Sequence, residues 1–312
     1  MGVPNLSTPT YFPAVSSTCS VGPPEELLRL LSEAAYPRVL VSAYDCRHKI
    51  GGDLSKAATL VSTLRRAGCT VLLDSGIFEC QVLGITDWSA KEYAEVAGVV
   101  PHDLHLSYDG PTTERDHRER LNRPEPLLNI IHGGDRQGIV TKTRQAGDDG
   151  SVSGVAIPDR ECGPNLLERV RTLSAIRHEL NRCDELLLLH VLGCGNPVVM
   201  ASYALAGADS FDSLDWVQGA VDVRTLTVTD PILLGSTGCK CGFCSDLPGP
   251  DRERAILHNL LFYQDFGVRL RQMIQDRTVQ DFLQEFVGKE RAEKVVKAVT
   301  EVEAGQLGAN AR

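Results

Sequence analysis

The sequence predicts an α/β protein, a (β/α)8 TIM barrel with a zinc-binding insertion near the C-terminus. Three observations lead there. Short apolar runs alternate with longer amphipathic ones along most of the 312 residues. An acidic or histidine side chain follows most of the apolar runs. A C-x-C-x-x-C cluster, Cys239 to Cys244, stands near the C-terminal end.

Residues 38–43, 70–73, 104–107, 127–131, 154–157, 186–191 and 208–211 read as buried strands. They are brief, often β-branched, and bounded by Gly, Pro or Asp. Residues 54–67, 90–97, 136–146, 166–180 and 197–206 read as helices. Pro164 and Pro197 fall near first turns, where a missing N–H is tolerated. Such alternation favours parallel strands joined by right-handed crossovers. An eighth strand is expected near the N-terminus or after Trp216. A doubly wound open sheet is the alternative, but no Gly-x-Gly-x-x-Gly follows a strand. The expected division is an N-terminal extension over 1–35, a barrel core over 36–235, a zinc-binding subdomain over 236–262 and C-terminal helices over 263–312. Those last elements include a helix with a wide apolar face at 259–274, a second at 279–287 and a charged one at 290–302.

A 42% hydrophobic fraction suits a packed core. No apolar run approaches membrane-spanning length, so no membrane association is expected. Residues 1–21 are rich in Pro, Ser and Thr and lack a basic start and an apolar stretch. They predict no secretion signal and a cytoplasmic location. The net charge of -9 argues against a strongly basic nucleic-acid grip. Arg115, Arg118, Arg120 and Arg123 read as a solvated helix face, as do Arg252 and Arg254.

The polar residues at strand ends carry the site. Asp74 ends TVLLD, Asp109 follows LHLSY, His132 ends LLNIIH, and Asp212 ends ADSFD. Asp159 and Glu161 follow GVAIP, and His190 and Gly193 follow a leucine run. In a barrel all strands open their carboxyl ends on one face, where active sites form. Any one of these aspartates alone reads as an N-cap or turn residue. As a set, Asp74, Asp109 and Asp212 read as converging carboxylates.

Cys239, Cys241, Cys244 and His258 have ligand types and spacing that suit tetrahedral Zn²⁺. Four protein ligands leave no open position, so this zinc would be structural. The competing reading is a buried cysteine pair with an unrelated third. The remaining cysteines read mostly as buried thiols.

Several short motifs occur in a telling order. They are Asp74-Ser75-Gly76-Ile77-Phe78, Ile131-His132-Gly133-Gly134, Gly154-Val155-Ala156, Gly207-Ala208-Asp209-Ser210-Phe211-Asp212, the cysteine cluster, and His258-Asn259-Leu260-Leu261-Phe262-Tyr263. In that order they resemble the tRNA-guanine transglycosylase family, the base-exchange enzymes of queuosine and archaeosine synthesis. The resemblance runs from about Val39 to Phe286. It implies a barrel with a zinc-holding insertion and a covalent, ping-pong base exchange at a nucleoside. Asp212 matches the nucleophile and Asp74 the aspartate that handles protons. Ser75 and Phe78 fall in the base-binding segment beside Asp74. Asp109 matches a base-recognising aspartate. His132, with Gly133, stands where the family has a glutamine that contacts the base. Gly154 and Val155 match a segment offering backbone groups to the base. The cysteine cluster and His258 match the zinc ligands. The implied partners are guanine or a 7-deazaguanine base, a nucleic acid (tRNA or DNA) or a nucleoside, and a second copy of the chain or an accessory subunit.

The chemistry stands by itself. Breaking an N-glycosidic bond develops oxocarbenium character at C1′, which a carboxylate on the opposite face traps covalently. A second carboxyl group protonates the leaving base and later deprotonates the incoming one. A carboxylate such as Asp109 accepts both the N1–H and the amine of a guanine-type edge.

Departures from the family pattern bear on the substrate. Ile77 replaces a glycine. Ser213-Leu214-Asp215-Trp216 stands in place of a Pro-Thr-Arg element, and the interval from Cys244 to His258 is short. With the acidic charge, these fit a branch acting on DNA, on differently presented RNA, or on a free nucleoside. The competing functions are a non-catalytic accessory subunit, against which Asp74 and Asp212 both argue, and a nucleoside N-glycosidase of the same fold.

Overall fold

A computed structural model of the chain describes residues 6–19, 21–110, 126–183, 185–230 and 251–310. Eight strands close into one all-parallel barrel in sequence order. They are β1 (Thr10–Val15), β2 (Arg38–Ser42), β3 (Thr70–Asp74), β4 (Leu104–Leu106), β5 (Leu127–Ile130), β6 (Gly154–Pro158), β7 (Leu188–Leu192) and β8 (Ser210–Ser213). β8 pairs back onto β1, with Tyr11 opposite Phe211. The expected barrel is therefore present.

The eighth strand is β1. It lies inside the segment that sequence reading set apart as an N-terminal extension, so the barrel begins well before residue 36. The physical reason is burial: all six residues of β1 are buried, and the strand bonds to β2 on one edge and β8 on the other. The next helix, α1 (Pro24–Glu33), opens on a proline, whose fixed φ suits a first turn. It buries Leu27, Leu28 and Leu31.

The strands follow a strict period of two. Val39 and Val41 of β2, Val71 and Leu73 of β3, and Leu189 and Val191 of β7 face the helices in the larger core. Phe12, Leu40, Leu72, Leu128, Ile130, Ala156 and Leu188 face inward and fill the barrel. One or two steps further along the inward rows come Ser16, Ser42, Asp74, His132 and Asp212. Successive strand side chains alternate in direction, so the same pattern that packs the interior aims these polar groups at its carboxyl mouth.

The shell helices are α2 (Ala43–His48), α3 (Leu54–Arg66), α4 (Ile77–Leu83), α5 (Ala90–Val99), α6 (Arg136–Asp149), α7 (Leu166–Leu180), α8 (Pro197–Leu205) and α9 (Asp215–Gln218). Their starts are chemically marked. Ser89 and Glu92 form a reciprocal capping box, and Asp135, Asn165 and Asn196 cap α6, α7 and α8 through side-chain oxygens. A two-stranded antiparallel ribbon, β9 (Ala220–Asp222) and β10 (Thr227–Thr229), follows the barrel. The C-terminal helices are α10 (Asp251–Asp276), α11 (Val279–Val287) and α12 (Lys289–Asn310). α10 closes the barrel wall. Tyr263 stacks on Tyr11 with ring centroids 4.0 Å apart and donates to the Gly195 carbonyl at 2.8 Å. Among the described residues no helix is long and apolar enough to cross a membrane.

Candidate active site

A cavity of about 360 Å³ opens at the carboxyl mouth of the barrel, within the usual span of small-molecule sites. Asp74, Ser75, Phe78, Asp109, His132 and Asp212 all line it. Six residues drawn from four separate stretches of sequence thus meet in one place.

Asp212 ends β8. Its Oδ1 accepts from His190 Nε2 at 3.1 Å and from the Gly193 N–H at 3.3 Å. A ring nitrogen facing a carboxylate carries the proton, so Nε2 is the donor. His190 Nδ1 is fixed in turn by Ser210 Oγ at 2.8 Å, and the ring is fully buried. Asp212 is thereby locked in orientation by a side chain one strand away.

Asp74 ends β3. Its Oδ2 accepts the Gly76 N–H at 2.9 Å. Gly76 adopts φ +86°, and a Cβ there would come within 2.5 Å of the Tyr44 Cβ and 2.7 Å of its backbone N. Only glycine allows both the left-handed backbone and that approach, and the sharp turn folds the chain back so that α4 starts beside Asp74. Burial drives the Asp74 carboxyl well above the ordinary range. Nearby Glu79, then Asp109 and Asp212, push it further. The upward shift favours the protonated carboxyl, the form that can give a proton.

Asp109 is clasped from two sides. Ser75 Oγ donates to Oδ1 at 2.6 Å, and His132 Nε2 reaches Oδ2 at 3.3 Å. His132 Nδ1 lies 2.8 Å from Glu161 Oε1, whose other oxygen accepts the Gly133 N–H at 3.3 Å. The hydrogen bond from His132 to Asp109 is the largest influence on the imidazole, reinforced by Glu161 against the opposing effect of burial. The imidazole is pushed up to about 9, which makes it a cation at neutral pH. Phe78 stands at the rim with 45% of its surface exposed.

Gly154 and Val155 lie at the amino end of β6, not among the residues lining the cavity. There Gly154 serves packing: a Cβ would come 2.3 Å from the Leu188 carbonyl oxygen of β7. From this strand the cavity receives Pro158, Asp159 and Arg160 instead. Asp159 is held by Tyr203 and Arg169, each at 2.5 Å. Cys239, Cys241 and Cys244 lie outside the described residues. His258 sits on α10, buried, and donates from Nε2 to the Val221 carbonyl at 2.8 Å.

Sequence reading missed Glu79. It is buried in the cavity wall, with Ser16 Oγ donating to Oε1 at 2.5 Å and Ser42 Oγ to Oε2 at 2.9 Å. Beside it Asp45 is buried, and desolvation followed by repulsion from Glu79 pushes its carboxyl up to about 7. The period-two extension of β1 and β2 to Ser16 and Ser42 was the available signal.

The fold and site define a (β/α)8-barrel protein with a carboxylate-lined cavity at its carboxyl mouth. Sequence comparison makes this more specific. The chain is 25% identical over 318 residues to a protein named tRNA-guanine(15) transglycosylase from Archaeoglobus fulgidus, an alignment covering 90% of this chain and 64% of that protein. A protein of the same name from Methanococcus aeolicus is 26% identical over 69% of this chain and 38% of its own length. A queuine tRNA-ribosyltransferase from Shewanella piezotolerans is 26% identical over 59% of this chain and 54% of its own. No family model matches the chain. The chain is thus similar, at low identity, to proteins named as tRNA-guanine transglycosylases and a queuine tRNA-ribosyltransferase. The chain spans less than two thirds of the length of each of the three.

Proposed function

We propose that this protein exchanges a guanine-type base at a nucleoside within a nucleic acid, through a covalent glycosyl ester on Asp212. The observation that carries the reading is the pairing of two unlike carboxyl groups in one cavity. Asp212 is oriented by His190 and Gly193, whereas burial and like charge push the Asp74 carboxyl up, towards its protonated form. Two carboxyl groups in unlike surroundings, one fixed by donors and one buried among like charges, suit the nucleophile and acid roles.

With Oδ1 of Asp212 holding two hydrogen bonds, Oδ2 is the oxygen assigned to attack C1′. As the C1′–N bond breaks, its electrons pass to the base and Asp74 protonates it. The incoming base then returns a proton to Asp74 as its nitrogen displaces Asp212. Asp109 accepts the donor edge of the base, with Ser75 and His132 holding its two oxygens in place. Phe78 offers a ring face at the rim.

The names of the relatives favour tRNA as the nucleic acid. DNA, a free nucleoside and a 7-deazaguanine as incoming base belong to the same proposal. Zn²⁺ held by Cys239, Cys241, Cys244 and His258 would be structural. His258 supports this: a ring donating through Nε2 carries its lone pair on Nδ1, and burial favours the neutral form that ligation needs. Pairing with a second copy or an accessory subunit is proposed likewise.

Incorporation of labelled guanine into tRNA, duplex DNA and free guanosine tests the function. Incorporation into one of these, lost in Asp212→Ala while that variant still folds, is expected. Release of guanine without incorporation would instead indicate an N-glycosidase, and no reaction with any of the three would favour the accessory role.

A further inference from the structure

Glu79 touches the cavity but has no place in the exchange steps above. Its environment is unusual. Ser16 Oγ accepts the Thr18 N–H at 3.2 Å, and Ser42 Oγ accepts the Asp45 N–H at 3.4 Å. Thr18 Oγ1 also lies 2.8 Å from Ser16 Oγ; with Ser16 and Ser42 each donating to Glu79, Thr18 is the donor in that contact. Both Glu79 oxygens receive a donor, the arrangement that suits an ionised carboxylate. Neighbouring Asp74 receives an N–H from its own turn.

From these contacts we propose that Glu79 is a positioning residue for proton transfer: an anchored anion beside Asp74 that keeps the transferable proton on Asp74. This rests on the base-exchange reading for its purpose, though not for its geometry. Burial pushes both carboxyls up, and the two serine hydroxyls pull Glu79 back. After burial itself, Glu79 is the strongest influence on Asp74, ahead of Asp109 and Asp212. The other titratable groups facing Glu79 are Tyr44, Asp45 and Cys46 from α2, Cys80 from its own helix, and Asp109 from beyond β4. Each is an acid, a thiol or a phenol, so none of these neighbours neutralises it.

The device works in both half-reactions. When Asp74 gives its proton to the leaving base, two carboxylates stand side by side. Their repulsion makes Asp74 a stronger base, and it takes the proton back from the incoming base. No net proton is consumed. Glu79 itself neither gains nor loses one.

The test is a titration of Asp74 by carbon-13 NMR on protein labelled at aspartate carboxyl carbons, with the resonance assigned by its loss in Asp74→Asn. In the wild type Asp74 should remain protonated at neutral pH. In Glu79→Gln its midpoint should fall by at least about one pH unit, the usual effect of removing a nearby like charge. Ser16→Ala with Ser42→Ala should move it in the same direction, which keeps the test available if Glu79→Gln does not fold. An unchanged midpoint in the folded variants overturns the proposal, as does an ionised Asp74 at neutral pH in the wild type. Guanine incorporation measured against pH is a second readout, whose alkaline limb should shift by the same interval in Glu79→Gln. A protein showing the NMR shift but no incorporation contradicts the exchange reading and leaves the Glu79–Asp74 relationship standing.

Discussion

His190 donates from Nε2 to Oδ1 of Asp212 at 3.1 Å, from a ring that has no exposure to solvent. The two residues sit on adjacent strands, β7 and β8, whose register places His190 opposite Ser210. Parallel pairing thus sets the geometry of the proposed nucleophile directly. His190→Gln should lower kcat with little change in KM. The loss of a hydrogen bond to a charged group predicts a fall on the order of 10- to 100-fold. Steady-state kinetics of guanine incorporation would check this, and an unchanged kcat would remove His190 from the site.

Gly76 supports Asp74 through backbone shape. Gly76→Ala would place a methyl against Tyr44 in a left-handed conformation. Destabilisation on the order of 2–4 kcal/mol is expected, from strain and displaced packing together. Chemical denaturation gives the number. A variant as stable as the wild type would show that this turn tolerates a side chain.

Asp45 couples stability to pH. Its folded-state carboxyl is raised to about 7 by burial and by Glu79. A raised carboxyl means that the folded state prefers the protonated form. Its contribution is intact below the unfolded value near 4 and is lost as pH rises towards 7 and beyond. Asp45→Asn should therefore be more stable than wild type at pH 8, by on the order of 2–4 kcal/mol, with the difference vanishing near pH 4. Thermal melts at the two pH values decide it. Equal melting temperatures at pH 8 would mean that Asp45 is solvated in solution.

His132 gives a second pH signature. Its imidazole, raised to about 9 by Asp109 and Glu161, is cationic at neutral pH and steadies the Asp109 carboxylate. This support is fully present below the ordinary histidine range near 6.5 and is lost as pH rises through about 9. Guanine affinity should weaken across that interval, and His132→Gln should flatten the limb. Calorimetric titration at several pH values would show it, and an identical pH dependence in both proteins would contradict this role for His132.

The barrel and its acidic mouth were legible because strand chemistry is local. An apolar run ending in Asp, as at Asp74 and Asp212, announces both the strand and the direction in which its last side chain points. β1 was obscured by Pro13 and by polar neighbours in a Ser/Thr-rich segment, although pairing on both edges buries it completely. Glu79 was hidden for a different reason. Its importance comes from Ser16, just past β1, and Ser42, at the end of β2; the strand period aims those hydroxyls at the mouth but does not say that a helix residue, Glu79, meets them there. Gly154 and Val155 illustrate the limit of motif position. The strand they begin continues to Pro158, which puts them at the end of β6 away from the cavity.

The central claim is that Asp212 bonds covalently to the sugar. Mixing the protein with the nucleic acid that supports incorporation, quenching in acid, and running a denaturing gel would reveal a stable protein–nucleic acid adduct. The account predicts that adduct in the wild type, released by added guanine, and its absence in Asp212→Asn. An adduct that persists in Asp212→Asn, or guanine incorporation by that variant at the wild-type rate, would contradict it.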